Sequence, residues 1–194
     1  LFPYTTLFRS KQINEAILQV VANTSSNNYE NFYDKKTKLD KAYSTIDELN
    51  VEKEDIEKQY ELLKSEIEEK GQEIFNLNTK INNKIYESHL LENENSKYVE
   101  LTRETNKLDY EYNIKKSEFD KKNEEYQKLE EELKTKTEEI NKNQEEAQKD
   151  QDEFYNEFLK VSNNSSISNS ILAETISQIK NNKEELNDKV KELE

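Results

Sequence analysis

His89 is the only histidine in the chain, and the sequence holds no cysteine, methionine or tryptophan. Helical di-metal carboxylate sites place a glutamate three residues before the histidine; here that residue is Tyr86. One histidine supplies neither a metal shell nor a catalytic triad, so His89 reads as a solvent-facing helix residue. The run Glu130-Glu131-Glu132 could gather calcium, but it lacks the glycine-containing loop of alternating oxygen ligands that such a site needs. It reads as a solvated face. Paired carboxylates for acid–base work need a pocket that drives their pKa values apart, which a rod does not offer. The lack of cysteine excludes disulfides and thiolate chemistry, and a single glycine, Gly71, excludes a glycine-rich phosphate loop. Asn23-Thr24-Ser25 and Asn164-Ser165-Ser166 fit the glycosylation triplet, which an Asn-rich chain also produces by chance. These residues point to no enzyme, no cofactor and no metal.

The elements that carry them are set by composition. The chain has 194 residues, 43 acidic and 29 basic, with a formal net charge of −14; 37% are charged and 31% hydrophobic. A globular domain is about 45–50% apolar, so core material and turn residues are both short. The acidic balance argues against a groove for nucleic acid, whose phosphates demand clustered Lys and Arg. No apolar run approaches the roughly 20 residues that cross a bilayer. A long charged helix and a disordered segment remain, and periodicity decides between them.

From Ala42 a stripe runs in steps of seven through Leu49, Ile56, Leu63, Lys70, Leu77, Lys84, Leu91, Tyr98, Thr105, Tyr112, Phe119, Tyr126, Leu133, Ile140, Ala147, Phe154 and Val161. All but Lys70, Lys84 and Thr105 are apolar or aromatic, whereas disorder requires no such repeat. A companion stripe sits three residues earlier, at Leu39, Ile46, Lys53, Tyr60, Ile67, Ile74 and Ile81. Together they have the 3-4 spacing of a coiled-coil seam. Beyond Leu91 the companion moves to the other side, starting at Leu101 and Leu108, and weakens. The a and d roles exchange between Ile85 and Leu101, a heptad discontinuity of the stutter or stammer kind. Glutamates placed four residues before lysines, as in Glu66–Lys70, Glu111–Lys115 and Glu118–Lys122, support a helix by about 0.2–0.5 kcal/mol each.

The expected fold is all-α: a long coiled-coil helix over residues 29–161, a short amphipathic helix over 11–22 and a C-terminal amphipathic helix over 171–194, with no globular core. Polar breaks fall at 23–28, where Asn27 and Glu30 resemble a capping box, and at 162–170, which is a loop or a frayed stretch. A continuous helix over 29–161 spans about 200 Å and must bury its seam against another helix. Residues 1–10, LFPYTTLFRS, resemble the in-frame translation of a sequencing adapter and hold the only proline, Pro3. With no methionine anywhere, the remainder reads as an internal or C-terminal fragment.

The seam is unusual. Lys53, Lys70, Lys84, Lys115, Lys122 and Lys136 must snorkel or meet an acidic partner. Tyr60, Tyr98, Tyr112 and Tyr126 are bulky for a tight two-stranded dimer, and their hydroxyls need acceptors. These positions favour another coiled-coil chain, heteromeric over homodimeric, as the partner.

Ile17-Leu18-Gln19-Val20, Asn27-Asn28-Tyr29 and Phe32 resemble a segment of the coiled-coil domain-containing protein 39 family, with a one-residue insertion near Val21. The likeness extends with scattered identities to about Ile85. It implies a ciliary axonemal ruler lying along doublet microtubules, supporting inner dynein arms and the dynein regulatory complex, and it carries no catalytic residue. The corresponding expectation is a structural or scaffolding rod, cytoskeletal and axonemal. Two other readings stay open: a cytoplasmic tether or motor-tail coiled coil, and the arm of a chromosome-organising ATPase.

Overall fold

Four helices account for nearly all of the described chain: α1 (Tyr4–Thr24), α2 (Tyr29–Leu90), α3 (Asn95–Asn164) and α4 (Ser170–Leu193), with a 3₁₀ turn at Ser26–Asn28. The computed structural model describes residues 4–24, 26–91, 95–164 and 170–193, with side chains over 8–24, 27–91, 95–163 and 170–185. No strand occurs among the described residues, and the fold class is all-α. Long helices are what this composition dictates. After Pro3 no proline interrupts the chain, and Gly71 is the single residue of very low helix propensity short of proline.

Residues 29–161 do not form one helix. α2 ends at Leu90 and α3 begins at Asn95, inside the stretch where the heptad phase changes. The amide of Leu91 turns back to the carbonyl of Ser88 at 3.2 Å, and residues 92–94 lie outside the described ones. The phase change therefore accompanies the exchange of one helix for the next, not a stutter within one. α1 starts earlier than expected, so residues 4–10 of the adapter-like segment are helical. The polar break at 23–28 is in part helical: Asn23 and Thr24 end α1, with the Thr24 hydroxyl donating to the Val20 carbonyl at 2.6 Å. Ser25 and residues 165–169 lie outside the described residues. Ser162 and Asn163 still belong to α3.

The chain divides into two compact units, Leu1–Val51 with Glu138–Glu194, and Glu52–Thr137. The first is a four-helix unit. Lys11 meets Asp47 and Lys36 meets Glu15, so α1 and α2 run antiparallel. Lys38 meets Asp150 and Asn31 meets Glu157, which sets α2 antiparallel to α3. Arg9–Glu185 and Asn182–Ser10 place α4 beside α1. Contrary to the expectation of no globular core, this unit has one. Ile13, Ile17, Val20 and Val21 of α1 pack with Phe32, Leu39, Tyr43 and Ile46 of α2, with Ala147, Phe154, Tyr155 and Phe158 of α3, and with Leu172 and Ile179 of α4. Phe32 and Phe154 meet edge to face, with ring centroids 5.5 Å apart. The core exists because apolar residues here occupy more than the two seam positions. Phe154, Tyr155, Phe158 and Val161 make a face too wide for a two-stranded seam and suited to a bundle.

The second unit is a two-helix layer built from residues 52–90 of α2 and 95–137 of α3. Glu52, Glu66, Lys70, Glu73 and Lys84 meet Lys136, Lys122, Glu118, Lys115 and Glu104 in that order. Every step up α2 equals the step down α3, so the helices are antiparallel in one constant register.

Candidate functional site

The seam expected from the sequence maps onto both units. In the four-helix unit Leu39, Ile46, Leu49, Ile140 and Phe154 are buried, and Ala42 is partly buried against the same core. In the two-helix unit Ile56, Leu63, Leu77, Ile81 and Leu101 are buried, at 6–9% exposure. Tyr60, Ile67, Ile74, Leu91, Tyr112, Phe119, Tyr126 and Leu133 are half-buried. Tyr98 is 45% exposed and stands apart from the rest. A layer of two helices covers a side chain from one direction only, so much of its seam is half-buried and none of these residues is fully sealed.

All six seam lysines reach carboxylates. Lys70 meets Glu118 at 2.8 Å, Lys84 meets Glu104 at 3.1 Å, Lys115 meets Glu73 at 3.0 Å, Lys136 meets Glu52 at 2.8 Å, and Lys122 bonds to Glu66. Lys53 stays on its own helix, 3.4 Å from Glu57. Three pairs expected along the helix thus give way to pairs across the seam: Lys70, Lys115 and Lys122 leave Glu66, Glu111 and Glu118 for the opposite helix. The aliphatic stems of these lysines lie along the seam while the ammonium groups reach its edge. The carboxylates bonded to Lys84, Lys115 and Lys122 hold these amines above the ordinary lysine value, and Lys70 holds Glu118 below the usual carboxylate range.

Between these pairs sit two aromatic seam residues. Tyr60 and Tyr126 stack with ring centroids 4.5 Å apart and ring planes at 24°, and the Tyr126 hydroxyl donates to the Tyr60 hydroxyl. That hydrogen bond, with partial burial, pushes Tyr126 up to about 12. The acceptor that the Tyr126 hydroxyl needs is thus supplied by Tyr60 across the seam.

The four-helix unit holds a second polar feature that the heptad pattern did not indicate. Asn14 Nδ2 donates to Gln151 Oε1 at 2.7 Å, Gln151 Nε2 donates back to Asn14 Oδ1 at 2.8 Å, and the Tyr43 hydroxyl donates to Gln151 Oε1 at 2.6 Å. Asn182 Nδ2 donates to Ser10 Oγ and to the Tyr155 hydroxyl, both at 3.3 Å. These side chains come from all four helices and are buried. Burial is the main cause that raises both tyrosines, Tyr155 to about 12. A sequence signal did exist: Gln144 and Gln151 sit one heptad apart, between Ile140 and Phe154, on the inward face of α3. Buried amides satisfied by one another define how helices pack more than they promote chemistry.

Other candidate positions stay apart. His89 and Glu130, Glu131 and Glu132 are exposed, and among the described residues no three His, Cys, Asp or Glu side chains are grouped to hold a metal ion. A shallow cleft of about 300 Å³ lies between α1 and α4, lined by Arg9, Gln12, Ile13, Gln178, Asn181, Asn182 and Glu185. It contains no nucleophile–base pair. Among the described residues no helix is long and apolar enough to cross a membrane.

Comparison of the chain with family models, with curated proteins and with solved structures returned no match.

Proposed function

We propose that the chain is a structural spacer, a coiled-coil scaffold whose working part is a self-paired antiparallel helix pair. The observation that carries this reading is the constant-register ladder of five cross-helix ion pairs within Glu52–Thr137. It gives the seam a partner inside the same chain. A heteromeric rod needs an open seam, whereas a spacer that folds back on itself does not. This favours the tether reading and the arm of a chromosome-organising ATPase over a rod that shares its seam with a second protein. The axonemal ruler remains one setting for such a spacer. There a second coiled-coil chain, a microtubule doublet or a dynein-arm protein would be met through outer faces. Leu62, Phe75, Tyr86, Leu90, Val99 and Tyr110, each 57–70% exposed, are among the side chains available for that contact.

A spacer works by length, not by local chemistry. In cells carrying the full-length gene, replacing residues 52–137 with an unrelated antiparallel coiled coil of equal length should preserve function. Removing two heptads from each helix should abolish it. Loss of function on the equal-length exchange would overturn the reading. Labelling the full-length protein then sharpens the setting, since signal along axonemes is expected of a ruler and not of a chromosome-organising arm.

A further inference from the structure

We propose that Tyr60 and Tyr126 form an oxidative cross-linking site, at which a peroxidase-type one-electron oxidant using hydrogen peroxide couples the two rings into dityrosine. The stacked rings, 4.5 Å between centroids and 24° between planes, belong to different helices and share a hydroxyl–hydroxyl hydrogen bond. Hydroxyl contact between stacked rings brings their ortho (Cε) carbons side by side. Those carbons carry much of the unpaired spin density of a phenoxyl radical, so the bond-forming atoms are already neighbours before oxidation. Both side chains are half-buried, open enough to lose an electron to an oxidant at the surface yet held too firmly to swing toward another molecule.

Each phenol gives up one electron to the oxidant and its hydroxyl proton to water. The two phenoxyl radicals join by one Cε–Cε bond, and the two ring protons displaced on re-aromatisation return to the phenol oxygens. The chain thereby loses two hydrogens, and one hydrogen peroxide takes up two electrons and two protons to become two waters. The link ties residue 60 to residue 126 and converts a reversible helix pair into a covalently closed one.

Seven of the other tyrosines supply the contrast. Tyr43 and Tyr155 are sealed in the four-helix core at 5% and 0% exposure. Tyr29 and Tyr33 stack at 6.1 Å on a single helix, so coupling there would staple nothing. Tyr86, Tyr98 and Tyr110 are 45–70% exposed and are open to collision between chains.

The full chain, kept dilute, would be treated with a plant peroxidase and limiting hydrogen peroxide, and the product digested and mapped by mass spectrometry. The expected result is a monomeric product, lighter by two hydrogens, in which the peptides containing Tyr60 and Tyr126 are joined. Closing so long a loop should raise the melting midpoint of the two-helix unit by on the order of 10 °C. Tyr60→Phe and Tyr126→Phe, which keep the ring stacking, should each lose the joined peptide and most of the dityrosine emission. Oxidation that links chains to one another, or joins other tyrosines in place of this pair, would overturn the proposal. The peptide map of the unsubstituted chain decides the matter even if a variant folds poorly.

Discussion

The two units use the same kinds of helix but stabilise them differently. In the four-helix unit Ile17, Phe154, Tyr155 and Ile179 are at 0% exposure, while in the two-helix unit the best-covered side chains, Ile81, Leu77 and Ile56, remain at 6–8%. Four helices can enclose a side chain and two cannot. The first unit accordingly accepts aromatic residues and uncharged amides in its interior, where Asn14, Gln151 and Tyr43 bond to one another. The second keeps an aliphatic strip down the middle and lines its margins with opposite charges. Burial stabilises at roughly 25 cal/mol per Å² of apolar surface, so enclosure dominates the first unit. The second depends more on register, because a slip separates every lysine from its carboxylate. Depth of packing, set by how wide an apolar face the helices present, separates the two.

The contrast is tested most strongly by Phe154→Ala. Phe154 is fully buried and packs against Phe32, and truncating an enclosed phenylalanine costs about 3–5 kcal/mol. The same truncation at Phe119, half-buried in the two-helix unit, should cost roughly half as much or less, because water already reaches the site. Chemical denaturation of both variants, followed by hydrogen exchange resolved along the chain, checks the order. Equal losses would mean that the two units are alike in depth after all.

Alkali should also destabilise the four-helix unit. Burial raises Tyr155 from the ordinary 10.0 to about 12 and moves Tyr43 the same way. A phenol whose pKa is raised by folding contributes stability that is complete below the unfolded value and is lost as pH climbs through the folded one. The four-helix unit should therefore lose roughly 2 kcal/mol or more between about pH 10 and 12. Melting scans across that range, with phenolate absorbance as the reporter, should show ionisation of the buried tyrosines coinciding with unfolding. Ionisation well before unfolding would place these hydroxyls in contact with water.

Much of this architecture could be read from residue spacing. The stripe from Leu39 to Phe154 locates the inward face of α2 and α3, and the phase change after Ile85 marks where one helix gives way to the next. The spacing could not show that the two halves turn back on each other, because a heptad repeat has the same form whether its partner is another chain or its own continuation. A mirror relation was nevertheless present. Glu66, Lys70 and Glu73 repeat, with charges reversed and order inverted, as Lys115, Glu118 and Lys122. Asn14, Gln151 and Asn182 escaped notice for a different reason: an amide on an amphipathic helix is equally common on either face, and only the packing reveals which have lost their water. The core residues Phe158 and Tyr155 fall outside the strict seven-residue step, although their spacing from Phe154 and Val161 announces a wide apolar face.

The ladder makes a further difference between the units testable. Lys122→Glu faces Glu66 with a like charge and should lower the melting midpoint of the two-helix unit, leaving the four-helix unit unchanged. The exchange Glu66→Lys with Lys122→Glu restores an opposite pair in the same register and should recover most of the loss. Because the charges sit at the margin, both shifts should shrink as salt is added. At the acid end, Glu118 keeps its charge below the usual carboxylate range because of Lys70. Its contribution is complete at neutral pH and fades only as the pH falls through that lowered value. Failure of the double exchange to recover stability would mean that the helices pair in a different register.

The smallest effect is expected at Gly71, where the sign is more informative than the size. Glycine inside a helix costs up to about 1 kcal/mol relative to alanine, mainly through the freedom it gives the unfolded chain. An added Cβ would meet the Phe119 ring at 3.6 Å, an ordinary van der Waals distance that requires no movement. Gly71→Ala should therefore stabilise the two-helix unit by about 0.5–1 kcal/mol and cover slightly more of Phe119. In a four-helix interior the same methyl would have to displace a neighbour, and the gain would shrink or reverse. Destabilisation by Gly71→Ala, measured by thermal melting at neutral pH, would show that the helices approach more closely here than a half-open layer allows.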